Sequence, residues 1–159
     1  HPLLQQNTEP SLNAYTHSQA IQQADKNSFK QTLLTAKKTL SPDQQRDYVY
    51  QFSIAQKQLE YSELNDVIQT CDALIKDYEN TALNAYILKT KALRQQKKFK
   101  EALSTINTAL SHAKNYDLLH LEKAYILNEI KKEDELKKTI KSYLQYASNN
   151  PQWELLKFC

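Results

Sequence analysis

Apolar residues recur along this chain in steps of thirty-four or thirty-five positions. Phe29, Leu64 and Phe99 stand thirty-five apart, and Glu133 follows thirty-four later. Thr32, Val67, Ala102 and Leu136 keep the same steps, as do Ala36, Cys71, Ile106 and Ile140, and Leu40, Ile75, Leu110 and Leu144. Within one unit the four positions follow an i, i+3, i+7, i+11 pattern, which is one face of a helix. A second stripe lies upstream of each: His17, Phe52, Tyr86 and His120 correspond, and so do Ala24, Leu59, Leu93 and Leu127. The chain therefore reads as four pairs of helices, each covering apolar surface that its neighbour cannot hide alone.

Start and stop signals place the boundaries. Ser28 followed by Gln31 suggests a capping box, Ser41-Pro42-Asp43 sets out a cap, a first-turn proline and an acid in order, and Asn150-Pro151 opens a last helix. The expected organisation is a flexible segment over 1–11, a repeat region over 12–149 with helix pairs at 13–40, 43–78, 82–113 and 117–147, and a closing helix over 150–159. Trp153, Leu156 and Phe158 would cover the last pair. Ala102 and Ala109 keep one face of the third unit's second helix small, as a helix wedged between two others requires.

Glycine is absent from all 159 residues. Phosphate-cradling loops, the dinucleotide fingerprint, the nucleophile elbow and the EF-hand loop all need it, so those classes are excluded. Helix ends that take the left-handed conformation must then use another residue, and Asn27, Asn80, Asn115 and Asn149 are the expected ones. No stretch approaches the length of apolar sequence that a membrane span needs, and no secretory signal is visible. His1 cannot be an initiator in a chain without methionine. The expectation is a processed mature form or a trimmed piece, with a lean toward an exported, periplasmic protein and a cytoplasmic one as the alternative.

The four histidines, His1, His17, His112 and His120, form no metal-ligand pattern, and Cys71 falls in the core register of a second helix. Cys71 and Cys159 are expected as thiols rather than a disulfide framework. Acidic clusters such as Glu60-Glu63-Asp66 and Glu133-Asp134-Glu135 sit at loops and helix starts, where they complement the helix dipole. No catalytic residue, metal or cofactor is expected. Charge is uneven: seven cations face ten acids over residues 1–80, and fourteen face eight over 81–159. The lysine runs lack the stacking aromatics of a nucleic-acid binder, so nucleic acid is not the expected partner.

The segment "AYILKTKALRQQKKFKEALSTINTAL", Ala85 to Leu110, resembles a tetratricopeptide repeat. Tyr86, Leu93, Phe99, Ala102, Ile106 and Ala109 fill that family's aromatic, aliphatic and small positions. The fourth unit keeps the spacing with Leu136 and Tyr143 in place of the two alanines, and the first two are looser. Ile21, Gln56, Thr90 and Ala124 stand where the family has a small residue or glycine, and only Pro42 matches its inter-repeat proline. Those departures leave room for another helical-hairpin repeat or a non-repeating bundle.

The resemblance implies an all-α fold of the α–α superhelix class and a non-enzymatic module that binds a peptide or protein segment in a groove lined by the first helices. It implies a bacterial adaptor or assembly factor, the alternative being a sensor or regulatory segment of a larger signalling protein that binds a peptide or small ligand. Position by position, the groove residues would be Tyr50, Lys57, Tyr61, Asn84, Lys91, Arg94, Gln95, Leu118, Tyr125 and Asn128, with Lys57, Lys91 and Tyr125 in one column. The cations among them suggest an acidic partner, and self-association stays open. Ser53 and Lys57 replace the Lys and Asn with which one sub-type clamps a C-terminal carboxylate, so that activity is not carried over.

Overall fold

A computed structural model describes residues 2–147, with side chains from Leu12 onward. Among these residues all regular structure is helical. The order is α1 (Pro2–Gln23), α2 (Phe29–Thr39), α3 (Pro42–Gln45), α4 (Tyr48–Glu60), α5 (Leu64–Tyr78), a 3-10 turn (Glu79–Thr81), α6 (Leu83–Gln95), α7 (Phe99–His112), α8 (Asp117–Glu129) and α9 (Glu133–Tyr146). Helix α1 starts at Pro2, within the segment expected to be flexible. The expected closing helix over 150–159 lies outside the described residues.

The chain divides into two compact units, His1–Asp77 and Tyr78–Cys159. In the first, α1 packs on α2, α3 and α4. Its core gathers Ala14, Ile21, Ala24, Phe29, Ala36, Leu40, Tyr50 and Ile54, with Leu33 and Tyr61 against them. In the second, α6 pairs with α7 and α8 with α9, while α7 and α6 both touch α8. Helix α7 presents Ala102, Ile106 and Ala109, all fully buried, and the two alanines flanking Ile106 let its partner helices come close. Leu121, Ala124, Leu127, Leu136, Ile140 and Tyr143 fill the α8–α9 seam.

The turns show how a chain without glycine ends its helices. Ser62, Lys97 and Lys131 take φ values of 59°, 61° and 61°, one residue beyond the C-caps of α4, α6 and α8. In each turn the amide of that residue and the next reach back to carbonyls of the last helical turn. Ser62 N donates to Leu59 O and Glu63 N to Gln58 O; Lys97 N to Arg94 O and Lys98 N to Leu93 O; Lys131 N to Asn128 O and Lys132 N to Leu127 O. This is the Schellman pattern, three times in register. The expected asparagines do not serve: the other positive φ among the described residues is Glu79, Asn27, Asn80 and Asn115 are not in that region, and Asn149 lies outside the described residues. In the last three pairs the left-handed residue is set by where the first helix must reverse, and that point falls on Ser62, Lys97 and Lys131.

Two other signals diverge. Ser28 makes no capping bond to α2. It pairs with Asp25 instead, since Ser28 N donates to Asp25 Oδ1 at 2.8 Å and Asp25 N to Ser28 Oγ at 3.1 Å. The bond from the Ser28 amide, with that from its hydroxyl, holds the Asp25 carboxyl below the usual range. Ser41 does close its capping box, giving and taking bonds with Gln44 at 2.8 and 3.2 Å. The helix it opens, α3, ends after one turn because Asp47 caps α4 afresh through Tyr50 N at 3.0 Å.

Candidate functional site

Helices α6 and α8 carry seven of the ten proposed groove residues in the second unit. Lys91 and Arg94 are three apart on α6, while Glu122, Tyr125 and Glu129 are spaced i, i+3, i+7 on α8, so each set shares a helix face. The two faces meet. Lys91 Nζ lies 2.8 Å from Glu122 Oε1, Arg94 Nη2 lies 3.6 Å from Glu122 Oε2, and Arg94 Nη1 lies 3.5 Å from Glu129 Oε1. The guanidinium carbon sits 5.1 Å from the centre of the Tyr125 ring, a cation–π distance.

Burial separates the partners. The Glu122 side chain is 2% exposed, against 36% for Lys91, 22% for Arg94 and 40% for Glu129. A buried carboxylate is tolerable only with a cation beside it, and removing that cation from a buried pair costs on the order of 3–5 kcal/mol. Lys91 supplies the short contact. Arg94 makes only long ones, and its Nε and the Glu122 Oε2 are both buried without a hydrogen-bond partner. The expected positive groove is therefore balanced from within, since two acids answer the two cations. With that counter-charge in place, the argument for an acidic partner from bare Lys91 and Arg94 loses its basis.

Sequence reasoning passed over Glu122, although a signal was present. It stands in register with Ile54 and Leu88, both buried, so a charge appears where two earlier repeats hold aliphatic side chains. Of the remaining residues in this unit, Asn84 Oδ1 accepts from the Tyr116 hydroxyl at 2.9 Å. Gln95 and Leu118 are exposed, and Asn128 is half-buried.

In the first unit, Tyr50 is 3% exposed and belongs to the core, so it is not available to a groove. Burial pushes its phenol pKa up. Its place at the first turn of α4, facing α1, accounts for this. Tyr61 is structural as well: its hydroxyl donates to Ala24 O at 2.8 Å and its ring tilts against Phe29 at 5.6 Å. Lys57 Nζ lies 3.1 Å from Glu60 Oε2 and 5.6 Å from the centre of the Tyr61 ring. The bond to Glu60 is the main reason its pKa is raised. Ser53 Oγ donates to Val49 O and accepts from Gln22 Nε2.

No group of three or more His, Cys, Asp or Glu side chains among the described residues is arranged to hold a metal ion. Cys71 is a buried thiol. His120 has Nε2 at 2.6 Å from Lys114 O and stacks on Tyr146 at 5.4 Å. Among the described residues no helix is long and apolar enough to cross a membrane.

Stacked helical hairpins with one ion-paired first-helix face define a helical-repeat protein. Two solved structures share its form. A mutant of MamA superposes with a TM-score of 0.65 at 11% identity, covering 87% of this chain and 77% of its own. TTC0263, described as a thermophilic TPR protein in Thermus thermophilus, gives 0.64 at 16% identity, covering 86% and 74%. No family model and no curated protein matches. The chain has a tetratricopeptide-like repeat fold, all-α and of the α–α superhelix class.

Proposed function

We propose that this chain is a non-enzymatic interaction module, a bacterial adaptor or assembly factor, that holds a peptide or protein segment against the α6–α8 face. The observation that carries the reading is the face itself: exposed Gln95 and Leu118, half-buried Asn128, and the Tyr125 ring with the Arg94 guanidinium 5.1 Å from its centre. An aromatic with a polar tip, an exposed aliphatic and a few placed polar groups are the mixture that peptide-binding surfaces use. Glu122 is the buried carboxylate on this face, and Lys91 neutralises it at 2.8 Å. It ties α8 to α6.

The test avoids the ion network, because a reversed charge at Lys91 would face Glu122 and unfold the face. A Leu118→Arg, Asn128→Arg double variant blocks the open positions. It is expected to lose at least about tenfold in affinity for short labelled peptide pools, equivalent to about 1.4 kcal/mol, with unchanged helical circular dichroism. Undiminished binding would remove this face from consideration.

A further inference from the structure

Helix α1 is nearly free of charge. Across Pro2–Gln23 the one acid or base among Asp, Glu, Lys and Arg is Glu9, and Ser11 to Gln23 hold none. Its open side is apolar where a solvated helix is ordinarily ionic. Leu12 and Tyr15, three apart on one face, are 57% and 52% exposed, the most open of the large apolar side chains among the described residues. Leu34 on α2 is exposed too, but Lys30, Lys37 and Lys38 stand one turn away on its own helix, so it is an ordinary lone surface leucine. Around Leu12 and Tyr15 the hydroxyls are bonded within the helix: Thr16 Oγ1 donates to Leu12 O at 2.9 Å and Ser18 Oγ to Tyr15 O at 3.0 Å. A tyrosine-bearing patch without ions has the composition of an interface core, from which Lys, Glu and Asp are depleted.

The missing charge also points to the occupant. A face that carries ions of one sign repels its own copy, whereas an uncharged face meets its copy with no like charges brought together. We propose that α1 is a self-association surface, on which two copies of this chain pack antiparallel across a two-fold axis with Leu12 of each against the partner's Tyr15. That pairing opposes the two helix dipoles. It also sets Glu9 opposite Ser18, so the two Glu9 stand about 13 Å apart along the axis, beyond the roughly 8 Å over which salt leaves charges in touch. Helices α2, α3 and α4 pack on α1 from within its own unit, so the helix is in place before the copies meet. Its size sets the strength: a helix about 33 Å long and about 10 Å wide covers roughly 300–400 Å² per copy, about half of a standard interface. The dimer is therefore weak, with a Kd on the order of tens of micromolar. It carries two α6–α8 faces, which raises avidity for a partner with repeated segments; that consequence alone rests on the peptide-binding reading above.

The test is sedimentation velocity on the full chain between about 5 and 500 µM. The intact chain is expected to pass from monomer to dimer across that range, with little change on raising salt because no charges pair. Two double variants follow, one with Leu12→Glu and Tyr15→Glu, the other with Leu12→Lys and Tyr15→Lys. Both alter only exposed side chains, so their helical circular dichroism should match that of the intact chain. Each alone should lose at least about tenfold in self-association, because like charges now meet at the centre of the contact. Mixed in equal amounts the two should form a dimer again, and this one should weaken as salt is raised. An intact chain that stays monomeric throughout, a dimer that both variants retain, or a mixture that does not re-associate would each overturn the inference, and none of them touches the reading of the α6–α8 face.

Discussion

Lys57 and Lys91 occupy the same register, thirty-four residues apart, yet their counter-charges come from different places. Lys57 finds Glu60 three residues on along its own helix, and that acid is 57% exposed. Lys91 finds Glu122 on the neighbouring helix, and that acid is buried. The first pair is local, and its acid is open to solvent although the Lys57 stem is mostly covered, at 14% exposure. The second ties two helices across a repeat boundary, so its loss would be felt by the packing of the whole face.

Breaking the two pairs separately should show that difference most strongly. Lys91→Ala is expected to destabilise the protein by about 2–3 kcal/mol, below the full cost of a stranded charge because Arg94 stays nearby and the ammonium is partly exposed. In thermal circular dichroism that is a fall of roughly 4–12 °C. Adding Glu122→Leu should restore most of it by removing the stranded acid. Lys57→Ala should cost less than half as much, since its acid stays solvated and only the packing of its covered stem is lost, and equal losses from the two lysines would end the comparison.

A packing change comes next. Ala102→Leu forces bulk into the place where α7 meets its partners and should cost about 1–3 kcal/mol, measured by urea denaturation. Its register mate in the first unit, Val67, is just as fully buried with a branched side chain. The register thus admits bulk on α5, and on α9 as Leu136, where α7 uses an alanine.

The smallest expected effect is a gain, and it should be alike in both units. Ser62 and Lys97 hold nearly the same left-handed turn, so Ser62→Gly and Lys97→Gly should each raise stability by about 0.5–1 kcal/mol. The relief of the Cβ clash outweighs the extra freedom of the unfolded chain. A loss at either site would show that the side chain there does more than fill the turn.

Much of the fold was legible because it is written as spacing. The positions of Phe29, Ala36 and Leu40, of Val67 and Cys71, and of Ala102 and Ile106 needed only a helical period to be assigned inward, and all are buried. The turn at Ser41 was legible too, since its box is made from neighbours in sequence. Ser28 misled for the same local reason: Asp25, three residues before it, takes up the amide and hydroxyl, while Gln31 stands equally far on the other side. The candidate site was less legible. Tyr50 is polar at one end and aromatic in the body, and period alone did not reveal that α1 would cover it.

What the sequence determined by itself is the period, the helical pairing and the absence from this chain of the four glycine-dependent loop motifs, because each depends on residue types at fixed intervals. Which side chains remain open and which are spent on one another was decided only when helices came together. Lys91 and Glu122 lie thirty-one residues apart, and nothing local distinguishes a lysine that will meet a ligand from one that will meet a buried acid. Coulomb attraction and desolvation act on distances through space, and the packing of α6 on α8 set those distances.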